Sequence, residues 1–256
     1  MAAGPGAITG AARSSYNSSS APLQQHPLAG LYRAIDAEVR SWPGELHLYP
    51  QAGSAAAGWP GTAGRGPGPG PVAALVYRRS YARSAAIERL MGREPAGSAA
   101  GPPPHPALEI RTTPLSFAIE FIVPVSAWWD AENLAGKWSL PRCRQQFYHL
   151  LAGLPAAGCI GFWAGVEQQG LHWPLAARRA TRHLDDWLST YAPGSEAFRA
   201  GQWYPADDPA LTAADFPARV LHTLRALHRL YWFATWTSDN HFRDFYRRPA
   251  PGPDDV

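Results

Sequence analysis

Asp239, Asn240 and His241 stand side by side in the stretch WFATWTSDNHFRDFY, Trp232 to Tyr246. A carboxylate, an amide and an imidazole in consecutive positions supply what acid–base catalysis or a metal site needs: a proton acceptor, an orienting group and a nitrogen ligand. The same residues also suit the start of a helix. Ser238 or Asp239 can cap one, Phe242, Phe245 and Tyr246 follow at helical spacing, and Arg247 and Arg248 end it where the helix dipole favours cations. A helix start accounts for every residue but His241 and is the preferred reading, with Asp239 and His241 kept as catalytic candidates.

Two glutamates make a second acid–base pairing. Glu120 lies on the less apolar side of LSFAIEFIV (115–123), and Glu167 directly follows CIGFWAGV (159–166). On neighbouring strands the two carboxylates would approach, and their pKa values would split into an acid and a base. The simpler expectation is that both mark the solvent face of a half-exposed sheet.

Several other chemistries are decided by lysine, because Lys137 is the chain's only one. In AGKWS it is followed by Trp138, where a phosphate-binding loop needs the Ser or Thr that holds magnesium. Ala135 stands where a metal-dependent nuclease would place an acid two positions before its lysine. A Schiff-base role requires only a perturbed amine, but a solvated cation at a helix end is the expected state. No G-x-S-x-G elbow occurs, and the prolines of GRGPGPG remove the N–H groups that a phosphate cradle requires.

None of the nine histidines has another at i, i+4, so a helical zinc face is absent. A site from His172, His241 and an aspartate would have to assemble from distant loops; no metal and no cofactor is expected. Cys143 and Cys159 are too few for a disulfide framework or a four-thiolate site and are expected as free, buried thiols.

Binding chemistry concentrates in arginine and tryptophan. Arg78, Arg79, Arg83, Arg89 and Arg93 are opposed within 78–93 only by Glu88. Nine of the eleven tryptophans lie between 128 and 236, and Trp163 and Trp203 fall on the side of their strands away from Ile160 and Phe162. Such a pair can stack a base or a sugar. Five arginines are few beside the roughly 6–10 phosphates often neutralised by proteins held on duplex DNA through charge. Over 107–248 the chain is nearly neutral, with 14 basic against 13 acidic residues. A solvated arginine face and tryptophans packed under a second layer are the simpler expectations.

The elements that must position these groups follow from periodicity. Leu28, Leu31, Ile35, Val39 and Trp42 give a helix over 27–42, and ELHLY (45–49) a short strand. The segment 72–92 is either a strand leading into a helix or one helix. Residues 115–123 alternate as the clearest strand, followed by a helix that Ser126 caps and a second one from Pro141 to Gly153. Strands at 159–166 and 198–204 flank a helix over 174–191, and Thr212 with Asp215 resembles a capping box ahead of a long amphipathic helix. Residues 1–26 and 249–256 read as a disordered leader and tail, and the Gly/Pro-dense segments 52–71 and 94–106 as exposed loops.

Together these give an α+β fold: a single domain over 27–248 with a mainly antiparallel sheet of about four to six strands and amphipathic helices packed on it. No run is apolar enough to span a membrane and no signal peptide is evident, so a cytoplasmic protein without membrane contact is expected. The leading functional expectation is a non-enzymatic interaction or accessory module with a protein partner. Nucleic-acid binding through 78–93, with Arg78, Arg79 and Arg83 beside exposed Trp163 and Trp203, is the alternative. A hydrolase-type enzyme with a cleft assembled from Glu120, Glu167, Asp239 and His241 is the third.

Overall fold

The computed structural model describes residues 29–42, 46–49, 73–92, 105–163, 172–177 and 181–243. Seven strands form one sheet: β1 (Leu46–Tyr49), β2 (Ala73–Arg79), β3 (Ala107–Thr112), β4 (Ser116–Val123), β5 (Cys159–Phe162), β6 (His172–Pro174) and β7 (Phe198–Pro205). Their order is β1-β2-β3-β4-β7-β5-β6, and every neighbouring pair is antiparallel. The helices of the described residues are α1 (Ala29–Arg40), α2 (Tyr81–Leu90), α3 (Trp128–Ser139), α4 (Pro141–Ala152), α5 (Thr181–Leu188) and α6 (Phe216–Ala234). They make a single α+β domain in which no helix of the described residues is long and apolar enough to cross a membrane. The leader, the tail, the loop expected at 52–71 and residues 94–104 of the loop expected at 94–106 lie outside the described residues, while His105 and Pro106 of the latter are buried rather than exposed.

The sheet is wider than the expected four to six strands because β3 and β6 join it. In β3 the alternation of Leu108 and Ile110 with Glu109 and Arg111 is short and follows a proline run, and β6 has three residues and ends on Pro174. The segment 72–92 resolves into strand and helix at Ser80, whose Oγ accepts from the Arg83 N–H at 3.2 Å and so caps α2. Ser126 does not cap α3. Ala127 holds that place with no side-chain cap bond. Thr212 closes a 3-10 turn (Pro209–Thr212), and α6 starts at Phe216 with a proline in its first turn.

α6 organises the core. Val220, Leu224, Leu227, Leu230 and Tyr231 recur at three- and four-residue intervals with no exposure, and they lie against β3, β4 and β7. Phe117, Ile119, Phe121 and Val123 of β4 supply the facing row, because alternate strand residues share one face. β4 departs from expectation on its other side: all eight residues are buried, not only the apolar row. Val76, Ala107, Ala118, Ile122 and Trp163 on that opposite face are buried too, yet they lie outside the continuous helix-side core.

α1 is fastened to α6 by polar and aromatic contacts. Arg225 grips Glu38 with Nε and Nη2 at 2.7 and 2.8 Å, and Trp42 Nε1 donates to the same carboxylate at 3.0 Å. Trp42 stacks on His228 with centroids 4.0 Å apart, and His228 Nε2 accepts from Trp232 Nε1 at 2.6 Å. The ring is therefore held neutral, and burial pulls its pKa from 6.5 down to about 4. Between those values the unfolded chain binds a proton that the folded chain refuses, so stability falls as pH drops through this window. The expected loss from this group is about 1–3 kcal/mol, the full shift discounted for its partial exposure. Urea unfolding of wild type and His228→Phe at pH 7, 5.5 and 4 measures it; the variant's stability should fall less over that range.

Candidate functional site

The charged residues of the three central strands, Glu109, Arg111, Glu120 and Arg199, gather on the face opposite the helices. The β3–β4 register pairs Glu109 with Glu120, and the β4–β7 register pairs Glu120 with Gly201 and Ile122 with Arg199. Arg199 holds Glu120 bidentately, Nε to Oε2 at 2.8 Å and Nη2 to Oε1 at 2.9 Å, and Arg111 Nη1 meets Oε1 from the other side. Gly201 makes the close approach possible, since a Cβ there would meet the Ile119 carbonyl oxygen and the Glu120 Cα. Glu120 thus stands on no solvent face: it has no exposure and sits between two guanidinium groups. Glu167, its expected partner, lies outside the described residues.

Trp163 and Trp203 share this face and meet, with centroids 5.3 Å apart, while the Arg199 guanidinium lies over the Trp163 ring at 5.3 Å. Their adjacency agrees with the stacking idea, but Trp163 is 5% exposed and Trp203 half-buried. The arginines of 78–93 do not form one basic face. Arg78 and Arg79 point to opposite sides of β2, burial lowers the pKa of Arg78, and Arg79 is 1% exposed on Asp130. Arg83 and Arg89 are exposed on α2, and Arg93 lies outside the described residues.

The Asp239–His241 cluster finishes α6. A helix end leaves its last carbonyls without partners. Here Asn240 Nδ2 donates to Trp232 O at 2.7 Å, Lys137 Nζ to Phe233 O at 2.6 Å and Asn133 Nδ2 to Ala234 O at 3.0 Å. Lys137 also donates to Asn240 Oδ1 at 2.6 Å, and Asn133 Oδ1 accepts from the Phe242 N–H at 2.8 Å. Lys137 is therefore no solvated cation: it is 1% exposed, and burial pulls its pKa from 10.5 down to about 8. Asp239 accepts from Thr237 Oγ1 at 2.7 Å and His241 stacks on Trp236, so these side chains serve the turn after α6. None of this brings Asp239 or His241 beside Glu120.

The cluster best arranged for recognition lies elsewhere and shares with the candidates singled out from sequence only Arg79. Asp130, in the first turn of α3 where the helix dipole favours a carboxylate, takes three partners: the buried Arg79 Nη2 and His105 Nδ1, both at 3.2 Å, and the half-buried Trp236 N–H at 2.7 Å. With Nδ1 on Asp130, the His105 ring turns Nε2 away from that carboxylate. That nitrogen is buried without a hydrogen bond, and Glu88 Oε1 of α2 is 3.6 Å from it. Glu88, His105, Ser126, Trp128, Trp129 and Asp130 line one narrow cleft. Trp128 stands at its rim, 39% exposed, with its ring 4.5 Å from that of Trp129. Gly194, at φ +79, lets its loop approach the Trp128 ring, where a Cβ would come within 3.2 Å.

No protein-family model matches the chain, and no curated protein matches it. What the site does must come from its chemistry. Among the described residues no group of three or more His, Cys, Asp or Glu side chains converges as a metal site requires.

His105 was hidden in the proline run taken for an exposed loop, yet it is 3% exposed. Its partners come from β2, α2 and α3, so no local spacing reports it. Trp128–Trp129–Asp130 at the head of a predicted helix was the available clue.

Both buried ion pairs should be costly to break from one side. Asp130→Asn and Glu120→Gln each remove the carboxylate facing buried guanidinium groups and are expected to destabilise by about 3–5 kcal/mol in urea unfolding. Asp215→Asn, in the exposed pair with Arg219, should cost about 1 kcal/mol or less.

Proposed function

We propose that this protein is a non-enzymatic interaction module that docks a protein partner at the cleft between α2 and the start of α3. The observation that carries the reading is Trp128: a large aromatic side chain left 39% exposed at the rim of a polar-floored cleft, and braced by Trp129 and Gly194. Rigid tryptophans over partly buried pockets are the residues that dominate protein interfaces. The free, buried thiols of Cys143 and Cys159 fit a reducing compartment, and we assign the chain to the cytoplasm on that ground.

The other two readings draw less support. Nucleic-acid binding through 78–93 would rely on Arg79 and Trp163, both withdrawn from solvent. A hydrolase has one suggestive arrangement, His105 on Asp130, but Ser126 and the other lining side chains make no hydrogen bond to His105 Nε2.

Selection of a random peptide library on the full chain tests the docking reading. Enriched peptides should bind Trp128→Ala at least about tenfold more weakly than wild type, equivalent to roughly 1.4 kcal/mol at a central interface tryptophan. Circular dichroism and the urea midpoint of the variant should remain those of wild type. Enriched peptides that bind both proteins equally would overturn the reading.

A further inference from the structure

α1 is joined to α6 by a clasp whose chemistry is sensitive to a single proton. An indole nitrogen only donates, so the 2.6 Å bond from Trp232 Nε1 makes His228 Nε2 an acceptor and fixes the ring as neutral. On its face lies Trp42, just past the end of α1, whose own Nε1 donates to Glu38. A proton on Nε2 would turn two N–H groups against each other and break the Trp232 bond. The ring would then be a half-buried cation beneath Trp42.

The charged groups within one turn of Glu38 or His228 do not answer that cation. On α1, Asp36 and Arg40 pair with each other at 2.7 Å, and Glu38 has both oxygens on Arg225. On α6, Arg225 and Arg229 flank His228, and both oppose a further positive charge. The other polar ties of α1 are two hydroxyl bonds to the sheet, Tyr32 with Thr112 at 2.7 Å and Tyr77 to Asp36 at 3.1 Å.

We propose that α1 with Trp42 is an acid-released helix: a proton on His228 undocks it from α6 as a unit and uncovers the apolar face of Leu31, Ile35 and Val39, while β4 and the interior of α6 stay folded. The undocked ring takes its proton at the ordinary 6.5, and burial in the clasp delays this to about 4. Each step of acid within that window therefore favours undocking. Arg225 holds the Glu38 carboxyl below its ordinary 4.5, so the bidentate pair persists while His228 responds.

The test is amide hydrogen exchange of the full chain from pH 7 to 4, resolved by segment and corrected for intrinsic exchange. Protection of α1 should fall about 10–100-fold between pH 6.5 and 4, with that of β4 and of α6 residues 220–231 unchanged. In His228→Gln, whose amide oxygen accepts from Trp232 at every pH, the fall should be less than about threefold. Joint loss of protection in α1 and β4 would make the response global unfolding and overturn the proposal. So would an α1 indifferent to pH, or an equal fall in His228→Gln. Should that variant not fold, the assigned His228 ring resonances of the wild type decide: a midpoint near 6.5 with α1 still protected would also overturn it.

Discussion

Asp130 is the constraint around which the described structure closes. A carboxylate at 2% exposure survives folding only if its charge and lone pairs are answered. The answers come from β2 through Arg79, from His105 ahead of β3, and from the Trp236 N–H just beyond α6. One side chain on α3 thereby ties an inner sheet strand, the entry to another and the exit of the longest helix. The position of Asp130 in the first turn of α3 adds the helix dipole to the balance. The cleft follows from this arrangement, because Asp130 sets the direction of the His105 ring, and Trp128 and Trp129 precede it directly in the chain.

The same rule, that whatever leaves water must find a partner, explains features that otherwise look like chemistry. Lys137, Asn133 and Asn240 lie in the interior with charges and amides that resemble a catalytic group. Each is used on the carbonyl oxygens that α6 leaves open at its end. Glu120 has the look of an acid awaiting a substrate, but two guanidinium groups hold it in the sheet. In this chain, then, buried polarity mainly completes the fold, and the cleft differs by leaving His105 Nε2 buried without a hydrogen bond beside a partly exposed aromatic rim.

Much of the architecture was legible in the sequence, for physical reasons that also set the limit. α1, α6 and β4 carry strong apolar periods, and their side chains face the core where those periods place them. The short β3 and the three-residue β6 carry little period, so the width of the sheet was underestimated. The half-exposed face inferred for β4 came from one glutamate; an ion pair across strands removes the polar cost that such an inference assumes. Lys137 and His105 were misplaced for a similar reason. A charge in a helix's last turn and a histidine among prolines both read as surface until a distant partner is known. His105 finds Asp130 25 residues onward, and Lys137 finds Phe233 96 residues onward.

That dependence on distant partners also bears on the cleft as a recognition site. Binding surfaces lose less entropy on association when their groups are already fixed, and here the fixing is inherited from the core. His105 cannot turn without breaking its bond to Asp130, and the Trp128 ring is backed by Trp129 and by the Gly194 loop. The exposed rim can therefore change in sequence at little cost to folding. The floor cannot, because its histidine is oriented by the carboxylate that holds β2 and α6 to α3.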